Sequence, residues 1–171
     1  MTDPDFREAF HSHKHVLYRF AYRMTGSSSA AEDVVQDCFV ALWRKPAGYD
    51  PGRGAVRAYL LGIARNLVLK RWRDERSYEP LEQEAYICPP IDVVNVERDQ
   101  AVAQAVQMLP PLQREVLVMA EYEEMSLQEI ADVTDLELAA VKSRLHRARQ
   151  NLRRMLAPLL ESKGTKYGTH K

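Results

Sequence analysis

Along this chain apolar residues recur at intervals of three and four, the period of a helix that buries one face. Phe6, Phe10, Leu17, Phe20, Ala21 and Met24 make such a stripe, and Asp3-Pro4 stands where a helix starts, so a first helix is expected through about Thr25. Gly26-Ser27-Ser28-Ser29 breaks it. Ser29 and Glu32 have the capping-box spacing, and a second helix follows to Arg44 over Val34, Val35, Cys38, Ala41 and Leu42. Lys45 to Gly54 reads as loop from its Pro and Gly content. A third helix runs from Ala55 to about Glu75 with Val56, Tyr59, Leu60, Ile63, Ala64, Leu67 and Val68 as its apolar members.

Tyr78 to Val94 holds three prolines and no steady period, which marks a linker and a domain boundary. A helix resumes near Asn95 over Val102, Ala105, Val106 and Leu109 until Pro110-Pro111 stops it, and another is expected from Leu112 to Glu123. Alternation of the strand type appears nowhere. The expected fold is all-α: two small helical domains, 1–77 and 95–160, joined by a flexible acidic linker at 78–94 and followed by a flexible tail at 161–171.

The stretch from Ser126 to Arg154 reads as a short helix, a tight turn and a longer helix. Ser126 lies three residues before Glu129, a second capping box, and Leu127, Ile130, Ala131 and Val133 keep a helical period. Asp135 can take the left-handed turn geometry that glycine often supplies. On the longer helix, steps of roughly 100° per residue put Val141, Leu145, Ala148, Leu152 and Leu156 on one side, joined by Leu138. Lys142, Ser143, His146, Arg147, Gln150, Arg153 and Arg154 fall on the other. From Ala140 to Arg154 there are six Lys/Arg and no Asp or Glu. An ordinary solvated helix face mixes signs; a face of donors alone, backed by a partner helix, suits the DNA major groove.

The formal net charge of zero hides a segmented chain. Residues 1–79 carry a net +3, residues 80–139 a net −11 and residues 140–171 a net +8. Such blocks are expected where different surfaces meet different partners. The apolar runs are too short to span a bilayer, and the N-terminus lacks a signal-peptide pattern, so a cytoplasmic chain is expected. Cys38 and Cys88, fifty positions apart, fit no metal spacing and read as free thiols.

Two further stretches carry candidate chemistry. Along the third helix and at its two ends, Arg53, Arg57, Arg65, Lys70, Arg71, Arg73 and Arg76 are interleaved with Tyr59, Asn66 and Trp72. That composition fits a surface where single-stranded bases stack and phosphates are neutralised; it fits equally a helix with core aromatics and solubilising arginines. At the front of the second helix, Glu32, Asp33, Gln36 and Asp37 make an acidic face that serves either the helix dipole or a partner. His11 and His15 are one turn apart, but no carboxylate or cysteine completes a metal site with them. There is no P-loop and no nucleophile–base pairing, so neither an enzyme nor a cofactor nor a small-molecule substrate is expected.

Four stretches in order, AEDVVQDCFVALWR, AYLLGIARNLVLKRWRDERS, LPPLQREVLVMAEYEEMSLQEIADV and AAVKSRLHRARQNLRR, resemble the extracytoplasmic-function sigma factors of bacterial RNA polymerase, over roughly residues 6–157. The resemblance implies a sigma region 2-like first domain and a helix-turn-helix, sigma region 4-like second domain. By position, Glu32, Asp33, Gln36, Asp37 and Phe39 correspond to the surface that docks on the β′ clamp helices of the polymerase core. Arg53, Arg57, Tyr59, Asn66, Lys70 and Arg73 fall in the part that captures and melts the promoter −10 element. Lys142, Ser143, Arg144, His146, Arg147 and Arg149 belong to the −35 reader, with Arg144, Arg149 and the neighbouring Arg153 expected to neutralise phosphates. Core polymerase (β′ clamp helices and β flap), promoter DNA and an anti-sigma factor are the implied partners. The acidic linker is expected in the channels of the core.

The sequence departs from the family pattern where glycine is usual in the turn (Asp135), where Gly-Thr is usual before the recognition helix (Ala139-Ala140) and where an aspartate is usual on the −10 helix (Lys70). The recognition helix is therefore expected to start early, near Glu137. A stand-alone helix-turn-helix regulator is the alternative function; it leaves the basic, aromatic helix at 55–76 without a purpose.

Overall fold

A computed structural model describes residues 1–75, 87–92 and 97–164 of the chain, with side chains as far as Glu161. Seven α-helices account for most of these residues, and no strand occurs among them.

Helices α1 (Asp3–Thr25), α2 (Ser28–Arg44) and α3 (Val56–Glu75) pack against one another as a three-helix bundle. Leu17, Phe20, Met24, Leu42, Leu60 and Leu61 are fully buried at its centre. Each side chain of this size stabilises the bundle by about 1.5–3 kcal/mol relative to exposure. Thr2 opens α1 with a capping box: its hydroxyl accepts from the Asp5 N–H, and the Asp5 carboxylate accepts from the Thr2 N–H at 2.8 Å. Gly26, at φ 70°, closes the helix in left-handed geometry that a Cβ would strain.

The capping box expected at Ser29 does not form. Because Gly26 already ends α1, Ser27 is the first residue in extended geometry (φ −127°, ψ 125°). Its hydroxyl accepts from the Ala30 N–H at 3.2 Å, and Ser29 is already inside α2.

The second domain comprises α4 (Arg98–Met108), α5 (Pro111–Leu117), α6 (Leu127–Thr134) and α7 (Leu138–Gly164), with α7 as the element the other three lean on. The single helix expected over Leu112–Glu123 is α5 followed by a wider π turn over Val118–Tyr122. At Ser126 the capping box is complete: its N–H donates to Glu129 Oε2 at 2.8 Å and its hydroxyl accepts from the Glu129 N–H at 3.1 Å. Asp135 takes left-handed geometry (φ 56°, ψ 40°) and ends α6. The Ala140 and Val141 N–H groups both donate to the Glu137 carbonyl, so the last helix does begin early.

Residues 76–86 and 93–96, most of the expected linker, lie outside the described residues, as does the tail beyond 164. The described piece, 87–92, is packed down. Cys88 and Ile91 are buried, the Cys88 N–H donates to Asn151 Oδ1 at 3.0 Å, and the Ile91 N–H to the Met155 carbonyl at 3.2 Å.

The two domains are in contact, and their buried residues form one hydrophobic cluster. Helix α1 meets α4 and α5, and α3 meets α6. Polar groups staple the boundary. Arg114 Nη1 donates to the Met24 carbonyl at 2.6 Å, Gln107 Nε2 to the Arg23 carbonyl at 2.5 Å, and the Arg23 guanidinium lies 4.0 Å from the centre of the Tyr122 ring.

Candidate nucleic-acid and partner interfaces

On α7, Val141, Leu145, Ala148 and Met155 are buried, and this seam fixes the roll of the helix. The opposite side presents Lys142, Ser143, His146, Arg147, Gln150 and Arg153, all exposed. These residues share one face at the start of a helix delivered by a tight turn, the geometry that sets a side-chain fork against base edges.

Two other residues of the expected −35 set stand apart. Arg144 lies roughly 60° from Val141 round the helix, on the edge of the buried seam. Its guanidinium is only 12% exposed, with Nη1 3.6 Å from Glu115 Oε1. Arg149 is exposed and bridges to Glu121, Nε to Oε1 at 2.8 Å.

In the first domain, the loop of two short 3-10 turns (Pro46–Gly48 and Pro51–Arg53) folds against α3. Asp50 Oδ1 accepts from the Gly52 N–H at 2.9 Å, and the Tyr49 hydroxyl donates to the Gly54 carbonyl at 3.3 Å, so the loop is held by its own polar groups. The Tyr49 and Tyr59 rings stand 5.6 Å apart, tilted, at the wall of a cavity of about 370 Å³. Arg53 and Asn66 also line it, and so do Glu129, Asp132 and Val133 of α6. Lys70 and Arg73 are exposed one and two turns further along the Tyr59–Asn66 face.

Arg57 points elsewhere. It lies roughly 160° round α3 from Tyr59, and its Nη2 donates to the Glu123 carbonyl at 2.6 Å and to the Glu123 carboxylate at 3.0 Å. His13 sits beside it; burial first, and the Arg57 charge second, push the imidazole below the usual histidine range. Arg65 donates from Nε and Nη2 to the two oxygens of Glu115, at 2.7 and 3.1 Å. Glu115 is fully buried and thus holds an arginine of each domain, Arg65 and Arg144. Of the two aromatic residues with competing readings, Tyr59 faces the cavity while Trp72 packs near the Arg114 guanidinium, 5.6 Å from its ring centre.

On α2, Glu32, Asp33, Gln36 and Asp37 are exposed, and Asp33 lies 3.5 Å from Arg71 of α3. Phe39 is on the core side: it is 4% exposed and its ring packs edge-on to Phe10 at 4.8 Å and Phe6 at 6.1 Å. The apolar residues that do face outward here are Val40 (39% exposed) and Trp43 (59%). They follow Gln36 by four and seven residues and so share its face, a spacing that could have flagged them. With Phe6, whose ring is 5.0 Å from Trp43, they line an open apolar groove of about 660 Å³.

Cys38 and Cys88 are both buried free thiols; burial, and to a lesser degree Asp37, pushes Cys38 up to about 12. Among the described residues no cluster of histidine, cysteine and carboxylate could hold a metal, and no helix is long and apolar enough to cross a membrane.

Comparison with known proteins accounts for both halves. Residues 9–78 match the family described as sigma-70 region 2, and residues 99–152 match sigma-70 region 4. The chain is 34% identical over 160 residues to the ECF RNA polymerase sigma factor SigL of Mycobacterium tuberculosis, covering 90% of this chain and 89% of that one. It is 33% identical over 162 residues to SigE of Mycolicibacterium smegmatis, again an ECF RNA polymerase sigma factor; there the match covers 90% of this chain but 62% of the longer relative. Among solved structures it is similar to the sigma factor RpoE from Bartonella quintana, crystallised with the anti-sigma factor NepR, with a TM-score of 0.72, 25% identity and coverage of 90% of this chain and 97% of that one.

Proposed function

The chain belongs to the extracytoplasmic-function sigma factors, and from that premise we propose how its two domains divide the work of promoter selection. It directs promoter-specific initiation; the polymerase core supplies the chemistry, and this chain, with no catalytic role of its own, supplies the address and the opening. It works in the cytoplasm, where the core and the promoter are.

The second domain, taken as 95–160, reads the −35 element as duplex. Lys142, Ser143, His146 and Arg147 reach base edges in the major groove, and Arg149 and Arg153 neutralise phosphates once Arg149 lets go of Glu121. Arg144 serves this surface from behind, setting the roll of α7 through Glu115.

The first domain, taken as 1–77, holds the opened −10 strand. An unstacked base enters between Tyr49 and Tyr59 with Asn66 as a hydrogen-bonding partner, while Arg53, Lys70 and Arg73 meet the backbone. Arg57 joins them when it is released from Glu123. Unpairing costs a few kcal/mol and is offset by these stacking and ionic contacts. Glu32, Asp33, Gln36 and Asp37 dock on the clamp helices of the core, with Trp43 and Val40 as the apolar centre of the contact and Phe39 supporting them from within the bundle. The acidic linker, 78–94, meets the basic channels of the core, apart from 87–92, which stays docked on α7. Tethering two weak readers in one chain raises the effective concentration of each at the promoter. An anti-sigma factor of the kind bound to the Bartonella relative is the expected inhibitor.

The observation that carries this reading is the exposed face of α7, where donors and cations stand without a single carboxylate. A stand-alone regulator explains that face but gives the matched first domain nothing to do. Run-off transcription by purified core polymerase, with and without this chain, over a library of upstream sequences tests the proposal. Transcripts with common start sites that require the chain support it; a chain that fails to bind core, or binds without selecting start sites, refutes it.

A further inference from the structure

We propose that residues 87–92 are a strap belonging to the −35-reading domain, and that by anchoring the linker on α7 they set the longest promoter spacer this chain can use. This rests on the sigma-factor reading above and adds a determinant of specificity that touches no base.

The strap is held by polar groups that have left water. Asn151, on the buried side of α7, is the junction. Its Oδ1 accepts from the Cys88 N–H at 3.0 Å and from Arg154 Nη1 at 2.9 Å. Its Nδ2 donates to Oε1 of Gln113, itself buried on α5, at 2.8 Å. The Cys88 thiol donates to the Met108 carbonyl at the end of α4, 3.7 Å away. Three residues on, the Ile91 N–H reaches the Met155 carbonyl at 3.2 Å, in the turn of α7 where Pro158 supplies no N–H to the helix ladder. The Cys88 and Ile91 side chains are both buried. Pulling the strap away strands the buried amide of Asn151 without the Cys88 donor and uncovers two apolar side chains, so the strap and the domain stay together.

This anchor shortens the tether between the two promoter readers. From the end of α3 at Glu75 to Cys88 there are twelve residues, 76–87; with no strap the stretch would run to Arg98 and hold twenty-two, 76–97. Fully extended, the two tethers reach roughly 43–47 Å and roughly 76–83 Å. The reading residues lie further along each helix, Tyr59 roughly 24 Å from Glu75 and Lys142 roughly 14 Å from Asn151. With the strap docked, the readers can therefore stand at most roughly 80–85 Å apart. Elements named −35 and −10 are about 25 base pairs apart, which is about 85 Å of duplex. The docked tether just spans that distance, and every added base pair demands about 3.4 Å more. A released tether, roughly 33–36 Å longer, would set no such limit.

Hydrogen exchange and spacer scanning test this together, on holoenzyme made with wild type and four variants. Ile91→Asp releases the strap without altering a helix, and Asn151→Ala removes the junction. Asn151→Asp keeps the acceptor for the Cys88 N–H. A ten-residue Gly/Ser insertion after Glu84 lengthens the tether and leaves every described contact in place. The 87–92 peptide should exchange slowly in wild-type holoenzyme and at least tenfold faster in Ile91→Asp. Run-off transcription is then measured on one promoter whose spacer is changed in single base pairs. When the optimal spacer is lengthened by two base pairs, transcript should fall at least tenfold for wild type and Asn151→Asp. For Ile91→Asp, Asn151→Ala and the insertion, it should fall threefold or less.

Fast exchange of the wild-type 87–92 peptide in the holoenzyme overturns the proposal. So does an insertion protein as strict as wild type, a result that misfolding of the strap cannot explain. Two base pairs also turn the duplex by roughly 70°, so an equal loss in all five proteins reports helical phase and overturns it too. Wild type that initiates at no spacer length is a different result, and it counts against the sigma-factor mechanism instead.

Discussion

Replacing Glu115 with alanine removes an anion shared by Arg65 and Arg144. Glu115 is 0% exposed, and the two guanidiniums are 14% and 12% exposed, so all three groups have left bulk water. Deleting the carboxylate takes this shared counter-ion from two like charges in a poorly hydrated site. Breaking a buried pair from one side costs about 3–5 kcal/mol, a large share of the total stability of about 5–15 kcal/mol that a domain of this kind has. At about 2–4 °C per kcal/mol for a chain of this length, the melting temperature should fall by about 6–20 °C. Urea denaturation and calorimetry measure both quantities. Adding Arg65→Ala, alone and in combination, isolates the share that crosses the domain boundary, expected at about 0.5–3 kcal/mol of coupling. A Glu115→Ala chain within about 1 kcal/mol of wild type would show that these groups behave as an exposed pair, and the account of the boundary would be wrong.

Other consequences follow from single side chains. Arg147→Ala should weaken −35 recognition by the holoenzyme by about 1–3 kcal/mol in a binding titration and leave thermal stability unchanged; Arg147 is exposed. Trp43→Ala, at 59% exposure beside the acidic docking face, should weaken core polymerase binding by about 2 kcal/mol or more with the fold intact, as read by fluorescence anisotropy. Ser126→Ala removes a complete capping box and should cost about 0.5–2 kcal/mol in denaturation. The Cys38 thiol is held at about 12 in the folded chain against 9.0 for a free thiol. Folding thus favours its protonated form, and the stability this contributes is intact below pH 9.0 and erodes as pH rises from there towards 12. Comparing pH–stability curves of wild type and Cys38→Ala should show the wild-type curve falling more steeply in that window.

Much of the architecture could be read before any coordinates. Local signals that act within one turn were legible: the Ser126 box, the left-handed Asp135, and the early start of the last helix at Glu137. The Ser29 box failed for an equally local reason, since Gly26 ended the preceding helix and gave the capping position to Ser27. The exposed face of α7 followed from angular spacing alone, but Arg144, expected among the −35 contacts, sits at the edge of the buried seam beside Glu115. What spacing could not supply was the partner across the boundary. Nothing in the sequence near Arg57 or Arg65 points to Glu123 or Glu115, 66 and 50 positions away. Charge segmentation was visible, but its consequence depends on the docking of two domains, which is set by packing of α1 and α3 against α4 and α6. Phe39 illustrates the same limit: its neighbours on α2 are exposed, and only the fold of α1 across that helix turns its ring inward.

The central claim is that one chain grips paired bases with one domain and opened bases with the other. Permanganate footprinting of a promoter selected by the holoenzyme tests it most directly, since permanganate oxidises unpaired thymines. Core polymerase with this chain should make thymines of the −10 non-template strand reactive, Tyr59→Ala should abolish that reactivity while −35 protection persists, and core alone should give none. Reactivity that appears without the chain, or survives unchanged in the Tyr59→Ala protein, would contradict the account.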